Sequence, residues 1–134
     1  MKLIIRTDGG SRGNPGPAAT GVVIKNDTGK TVAAYGEYLG VQTNNFAEYM
    51  AIISALKKAK ELGADTVECI LDSKLIVEQL NRNWKVREPS IQKLFIQAWN
   101  AMAKFKKVSI RHTMRAGNKE ADAQVNKVLD KHTK

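Results

Sequence analysis

The chain has few of the residues that mark specialised protein classes. Among its 134 residues are one cysteine, three prolines and 6% aromatic residues. A single cysteine excludes a disulfide-stapled scaffold and favours a reducing, cytoplasmic location. No apolar run approaches the roughly 18 residues of a membrane helix, and no signal-peptide pattern opens the sequence. We therefore expect one domain over residues 1–134 with its own core, ending in a polar tail at 130–134.

Negative charge is also scarce. The chain has 22 Lys and Arg against 13 Asp and Glu, which gives a formal net charge of +9. A small domain with this excess commonly binds a polyanion, and nucleic acid is the first candidate. The alternative is that the charge serves solubility alone.

The pattern of apolar residues predicts nine elements in the order βββαβααβα. The predicted strands cover residues 2–7, 18–25, 31–39, 66–71 and 108–114, and the predicted helices cover residues 44–62, 73–81, 90–104 and 118–130. Residues 9–17 contain four glycines and two prolines, which predicts a loop or tight turn. A meander followed by β/α alternation indicates an α/β protein with a five-stranded mixed sheet flanked by helices.

Four acidic residues occur where these elements begin or end. Asp8 and Asp72 end predicted strands, while Glu48 and Asp122 lie near the starts of predicted helices. If the two strands are parallel neighbours, all four carboxylates can converge, and their mutual repulsion would raise their pKa values. Two Mg²⁺ ions would balance four negative charges and could assist an in-line phosphoryl displacement.

Each acid also has a structural explanation. Asp8 could belong to a turn, Asp72 could cap the following helix, and Asp122 could favour its helix dipole. Glu48 could form a capping box with Asn45. None of these explanations accounts for the four acids together with their flanking sequences.

The flanking sequences resemble those of type 1 ribonuclease H. The matching segments, in family order, are TDGGSRGNPGPA at 7–18, TNNFAE at 43–48, LDS at 71–73 and NKEAD at 118–122. The resemblance extends to about residue 129. It implies the ribonuclease H-like fold, whose element order agrees with the order predicted above.

The resemblance implies an endonuclease that cuts the RNA strand of RNA–DNA hybrids, leaving 5′-phosphate and 3′-hydroxyl ends. It implies two Mg²⁺ ions, with Mn²⁺ as a possible substitute. By motif, Asp8 would bridge both ions, and Asp122 would help hold the ion that activates water. Glu48 and Asp72 would help hold the ion on the leaving-group side.

The resemblance also implies contacts with both strands of the hybrid. The residues assigned to the RNA strand are Gly9, Gly10, Ser11 and Asn14. Asn44 and Asn45 would touch base edges in the minor groove, although Asn44 could instead cap its helix. Thr43 matches a contact with a DNA phosphate. Trp84 lies among cations and could follow the DNA strand, or it could be a partly buried tryptophan.

Two features depart from the family pattern. Many members carry a histidine in the loop before the last catalytic acid, but residues 114–120 contain none, and His112 falls in a predicted strand. That role is either empty or filled by Arg115, Lys119 or Glu120. Residues 81–89 are also too short for the basic protrusion of some members, so we expect weaker binding with steep salt dependence. The binding cations would then lie on the sheet face and at Lys93, Lys104, Lys106 and Lys107.

Three alternatives remain open at this stage. The chain could be a ribonuclease H-like nuclease of broader specificity, cutting double-stranded RNA or junctions. It could be a non-catalytic nucleic-acid-binding module, although all four acids are present. It could also be a detached domain of a reverse transcriptase. The apolar residues are accounted for by one core, so we expect a monomer with no membrane contact and no obligatory protein partner.

Overall fold

The structure is a computed structural model, and it describes residues 1–133. Its strands are β1 (Lys2–Ser11), β2 (Gly16–Asn26), β3 (Thr31–Tyr35), β4 (Tyr38–Gln42), β5 (Thr66–Leu71) and β6 (Lys107–His112). Its α-helices are α1 (Asn44–Glu61), α2 (Lys74–Leu80), α3 (Pro89–Met102) and α4 (Lys119–His132), and a 3₁₀ turn covers Arg115–Asn118. Within residues 1–133, no helix is both long enough and apolar enough to cross a membrane.

The strands form one mixed sheet in the order β3-β2-β1-β5-β6, with β4 also paired to β2. β1 is antiparallel to β2 and parallel to β5, and β5 is parallel to β6. In the β1–β5 register Thr7 faces Leu71, so the next residues, Asp8 within β1 and Asp72 just after β5, lie side by side. The predicted mixed sheet flanked by helices is confirmed.

Alternation along the central strands divides the sheet into two faces. Leu3, Ile5 and Thr7 of β1 are buried on one face, against the layer of α1, α2 and α3. Cys69 of β5 is fully buried in the same core, as its apolar surroundings predict. Helix α4 covers part of the opposite face, where Val125 and Leu129 pack with Ala19.

The third predicted strand is two strands, so the sheet has six strand segments instead of five. The break falls at Gly36 and Glu37, between β3 and β4. Thr20 forms two hydrogen bonds with the backbone of Glu37 at this break. Its hydroxyl accepts a hydrogen bond from the Glu37 amide at 3.0 Å, and its own amide donates one to the Glu37 carbonyl at 2.9 Å. The sequence 31–39 shows no break because these bonds come from a distant strand.

The glycine-rich segment 9–17, predicted to be a loop or tight turn, is a short turn flanked on both sides by strand. β1 continues to Ser11 and β2 begins at Gly16, so only residues 12–15 form the connection. The last helix also ends later than the predicted residue 130, since α4 continues to His132, whose ring stacks on Tyr38 at 4.3 Å between ring centroids.

Candidate active site

Four secondary-structure elements bring the four predicted acids to one cleft. Asp8 lies on β1, Glu48 on α1 and Asp122 in the first turn of α4, while Asp72 directly follows β5. All four line a cleft of about 510 Å³ at the carboxyl end of β5. Clefts beyond the carboxyl ends of strands are common ligand sites in sheets of this kind.

Two glycines allow the helices to come close enough for this convergence. A Cβ atom on Gly9 would lie 2.3 Å from the backbone nitrogen of Glu48, and one on Gly21 would lie 2.1 Å from the carbonyl oxygen of Ala121. Asp8 is paired with Gly21 across β1 and β2. The helices bearing Glu48 and Asp122 therefore pack directly on backbone beside Asp8, from opposite faces of the sheet.

The electrostatics of the cleft show that the carboxylates affect one another. Burial raises the pKa of Asp8 to about 8, with further increases from the charge of Asp72, from the hydrogen bond and charge of Asp122, and from the charge of Glu48. Burial also raises the pKa of Glu48 to about 7. A hydrogen bond with Ser73 and the positive charge of Arg115 lower this pKa, while the negative charge of Asp72 raises it. Such raised values indicate negative charge that the protein alone does not compensate.

The donor atoms fit a hard divalent cation. The Oε2 atom of Glu48 is buried and has no hydrogen-bond partner, and carboxylate oxygen is the ligand that Mg²⁺ prefers. Within residues 1–133, no three acidic, histidine or cysteine side chains are already gathered closely enough to hold an ion. The acids line one cleft without yet forming a closed ligand set, and a cation would relieve their repulsion.

The structural explanations for two of the acids are wrong. Helix α1 is capped by Thr43, whose Oγ1 accepts a hydrogen bond from the Phe46 amide at 3.2 Å. Asn44 therefore does not cap this helix, and Asn45 and Glu48 do not form a capping box. Helix α2 is capped by Ser73, and not by Asp72, through a bond of 3.3 Å from the Ile76 amide. Glu48 and Asp72 are thus free of these capping roles.

The glycine-rich turn is tied to the start of α1. The Ser11 amide donates to Asn44 Oδ1 at 2.9 Å, and the Asn44 amide donates to Asn14 Oδ1 at 3.1 Å. Asn44, Gly9, Gly10 and Ser11 line the cleft with the acids. Gly9 is buried, and its close contact with α1 is a packing role that sequence reasoning missed.

The other predicted substrate residues lie outside the lining of this cleft. These residues are Asn14, Thr43, Asn45 and Trp84. Trp84 is 46% exposed and lines a separate cavity of about 510 Å³ together with Arg82 and Lys85. The structure therefore places this tryptophan among cations, as its sequence neighbours suggest, but not beside the acids.

The loop that lacks a histidine supplies an arginine to the cleft. Arg115, in the 3₁₀ turn, lines the cleft, and its charge lowers the pKa of Glu48. Lys119 is not among the lining residues, and Glu120 pairs with Lys25 at 2.7 Å. His112 is exposed at the end of the edge strand β6.

Two asparagines support the acids and were not singled out from the sequence. Asn118 is fully buried, and its Nδ2 donates to the carbonyl of Thr7 at 2.8 Å, which joins the start of α4 to the residue before Asp8. Asn126 Nδ2 donates to Asp122 Oδ2 at 3.3 Å. The i, i+4 spacing of Asp122 and Asn126 on one helix was the one feature of the sequence that could have indicated the Asn126–Asp122 contact.

A mixed sheet with this strand order and a carboxylate cleft at its edge is the architecture of a ribonuclease H-like protein. The reverse transcriptase-like family matches residues 6–128. Bifunctional protein Rv2228c of Mycobacterium tuberculosis is 42% identical over 131 residues, covering 97% of this chain and 36% of that protein. Ribonuclease HI of Halobacterium salinarum is 43% identical over 123 residues, covering 92% of this chain and 62% of that protein.

Solved structures agree with these relatives. The crystal structure of RNase H1 from Halobacterium salinarum superposes with a TM-score of 0.95 and 40% identity, covering 98% of this chain and 99% of that chain. That of LC11-RNase H1 in complex with an RNA/DNA hybrid gives a TM-score of 0.93 and 39% identity, with coverages of 98% and 99%. This chain belongs to the type 1 ribonuclease H family. It spans about a third of the length of the mycobacterial relative and about three-fifths of the halobacterial one.

Proposed function

We propose that this chain is an endonuclease that hydrolyses the RNA strand of RNA–DNA hybrids. The observation that carries the proposal is the convergence of Asp8, Glu48, Asp72 and Asp122 in one cleft, with raised pKa values at Asp8 and Glu48. The relative LC11-RNase H1, which binds an RNA/DNA hybrid, supports the substrate class. The formal net charge of +9 suits a polyanionic substrate.

The same four carboxylates would hold two Mg²⁺ ions, with Mn²⁺ as a possible substitute. Bound there, the metal would supply a nucleophilic water at neutral pH and charge stabilisation for the leaving oxygen. Asp8 would help hold both ions, and its pKa is raised by burial and by the charges of the three other acids. Asp122 would serve the water-activating side, and Glu48 and Asp72 would serve the leaving-group side.

The remaining residues would position the hybrid. Gly9, Gly10, Ser11 and Asn14 lie in or beside the glycine-rich turn, which we assign to the RNA strand. The 2′-hydroxyl is the group that distinguishes RNA from DNA, and a turn held against α1 by Asn44 presents a fixed backbone to it.

A second group of residues is assigned to base edges and to the DNA strand. Asn44 and Asn45 would contact base edges in the minor groove. Thr43 and Trp84 would contact the DNA strand. Since Thr43 Oγ1 already caps α1, its side chain is held in one orientation for that contact.

We also propose that residues 1–134 form one catalytic domain that acts as a monomer in the cytoplasm without an obligatory partner. The apolar residues of α1, α3 and the sheet pack into one main core, which supports a monomer. The single cysteine is buried, which suits a reducing compartment.

The decisive experiment is a cleavage assay on four substrates of equal length: RNA–DNA hybrid, double-stranded RNA, double-stranded DNA and single-stranded RNA. Each is incubated with Mg²⁺, with Mn²⁺ and with EDTA, beside an Asp8→Asn variant. We expect metal-dependent cutting of RNA in the hybrid alone, and no cutting by the variant. Equal cutting of double-stranded RNA would contradict the substrate assignment, and binding without cutting in either metal would contradict the enzymatic one.

A further inference from the structure

Arg12 lies at the turn between β1 and β2 and reaches across to the end of α4. Its amide donates to the Pro17 carbonyl at 2.8 Å, which fixes its backbone in the turn. Its guanidinium contacts Asp130 Oδ1 at 2.5 Å and Thr133 Oγ1 at 2.7 Å. Thr133 is itself held by a bond of 2.6 Å from its hydroxyl to the Leu129 carbonyl.

This arrangement places a cation at the acidic cleft. Among the described residues that line the cleft, Arg12 and Arg115 are the two positive side chains. The charge of Arg115 acts on Glu48, whereas Arg12 is not among the groups that shift the pKa of Asp8 or Glu48. The contacts of Arg12 with Asp130 and Thr133 place its guanidinium at the end of α4, along one wall of the cleft.

The guanidinium keeps donors available for a ligand. Arginine has five N–H donors in a planar fork, and Thr133 and Asp130 each accept one of them, from Nη1 and Nη2 respectively, which leaves three donors. The Arg12 side chain is 40% exposed and lines the cleft, so its other donors are accessible to a ligand. A nucleic-acid backbone lying across four carboxylates needs cations beside its other phosphates, and arginine binds phosphate with two parallel hydrogen bonds.

We propose that Arg12 binds a phosphate of the RNA strand next to the one that is cut, and that Asp130 and Thr133 hold its side chain at the cleft before substrate arrives. This assignment rests on the proposed function. It makes Arg12 a substrate-binding residue in the glycine-rich turn and gives the last turn of α4 a part in shaping the cleft.

The test is steady-state cleavage of a hybrid by Arg12→Ala at several KCl concentrations. We expect KM to rise about fivefold to tenfold, as for the loss of one charge-assisted contact, while kcat changes less than about twofold. The dependence of log(kcat/KM) on log[KCl] should become shallower by about one unit, because one phosphate contact is lost. Lys30→Ala removes the same charge from the exposed turn between β2 and β3 and should change neither quantity.

A second variant separates phosphate binding from a structural role. Asp130→Ala with Thr133→Ala breaks the contacts of Arg12 with α4 but keeps the guanidinium, so its KM should stay within about threefold of wild type. The proposal is overturned if this variant reproduces the KM of Arg12→Ala, or if Arg12→Ala leaves KM and the salt slope unchanged. A wild-type chain that fails to cut the hybrid would instead reject the proposed function, and the assignment of Arg12 with it.

Discussion

Gly9 lies against the first turns of α1 so closely that a Cβ atom there would come within 2.3 Å of the Glu48 amide nitrogen. Real Cβ atoms do not approach backbone so closely, so the strand and the helix can meet in this way only at a glycine. The contact sets the position of Glu48 relative to Asp8, the residue before Gly9. Packing of the core and assembly of the cleft therefore depend on the same backbone contact.

Replacement of Gly9 by alanine should both destabilise the fold and reduce cleavage. The added methyl group would meet the backbone of Ala47 and Glu48, which cannot move without shifting α1. We expect a loss of about 2–4 kcal/mol in the free energy of unfolding, measured by urea denaturation. Because the helix must shift to relieve the clash, kcat should fall in the fraction that stays folded.

Gly10→Ala is the matched control for stability. A Cβ atom on Gly10 would meet only the side chain of Val125, at 3.4 Å, which is ordinary van der Waals contact. We expect its free energy of unfolding to change by less than about 1 kcal/mol. Equal losses in the two variants would show that the close contact at Gly9 is not the cause.

The raised pKa values make stability of the metal-free protein depend on pH. The pKa of Asp8 rises from its ordinary value of 3.8 to about 8, and that of Glu48 from 4.5 to about 7. An acid whose pKa is higher in the folded state stabilises the fold at low pH, and this contribution is lost as pH rises through the folded value. In EDTA, Tm should therefore fall between pH 5 and pH 9.

Asp8→Asn tests the cause of this pH dependence. The substitution removes the carboxyl whose pKa is raised furthest, so the variant should lose less stability than wild type over that range. At pH 9 its Tm in EDTA should be higher than that of wild type by several degrees. Asp27→Asn, in the exposed turn after β2, should behave like wild type. An unchanged slope in Asp8→Asn would mean that ionisation of the buried Asp8 carboxyl does not cause this pH dependence.

The sequence was sufficient to predict the order of the elements and the meeting of the acids. Asp8 and Asp72 were expected to meet if their strands were parallel neighbours, and the structure pairs β1 and β5 in parallel. The motif around Asn118 and Asp122 placed the last acid at the start of a helix. These predictions succeeded because periodicity and strand ends are local features of a sequence.

Features that depend on contacts between distant segments were not predictable in this way. Glycine looks the same in a sequence whether it allows a turn or a close packing contact, so residues 9–17 suggested a loop where β1 continues to Ser11. The capping alternatives considered for Asn44, Asn45 and Asp72 were wrong, because asparagine, aspartate, serine and threonine all favour the position before a helix and the sequence does not choose between neighbours. The break before β4 depends on Thr20, which lies in another strand.

Asn118 should be a strong determinant of both stability and activity. It is fully buried, and its side-chain amide satisfies the carbonyl of Thr7, one residue before Asp8. Asn118→Ala would leave that carbonyl unpaired in the interior, which costs about 1–3 kcal/mol. It would also remove the hydrogen bond that holds the start of α4, which carries Asp122, against β1. We therefore expect kcat to fall by more than the loss of folded protein accounts for.

A substitution at Asn100 provides the comparison for Asn118. Asn100 is exposed on α3, away from the acids, and Asn100→Ala should leave thermal unfolding and cleavage within error of wild type. The two variants are compared by calorimetry and by kcat well below Tm. If Asn118→Ala unfolds like wild type, then its bond to Thr7 does not hold α4 against β1.

Arg115 should matter to turnover more than any other residue of the loop that lacks a histidine. It lines the cleft, and its positive charge reaches Glu48, whereas Lys119 lies outside the lining. Charge placed beside reacting groups in a partly closed site contributes directly to rate. Arg115→Ala should therefore lower kcat by about tenfold or more, and Lys119→Ala by less than about twofold.

Both variants remove one exposed cation, and both should keep the wild-type Tm, since neither side chain is buried. If the two substitutions lower kcat equally, the effect belongs to the overall charge of the loop, and the position of Arg115 in the cleft has no special role.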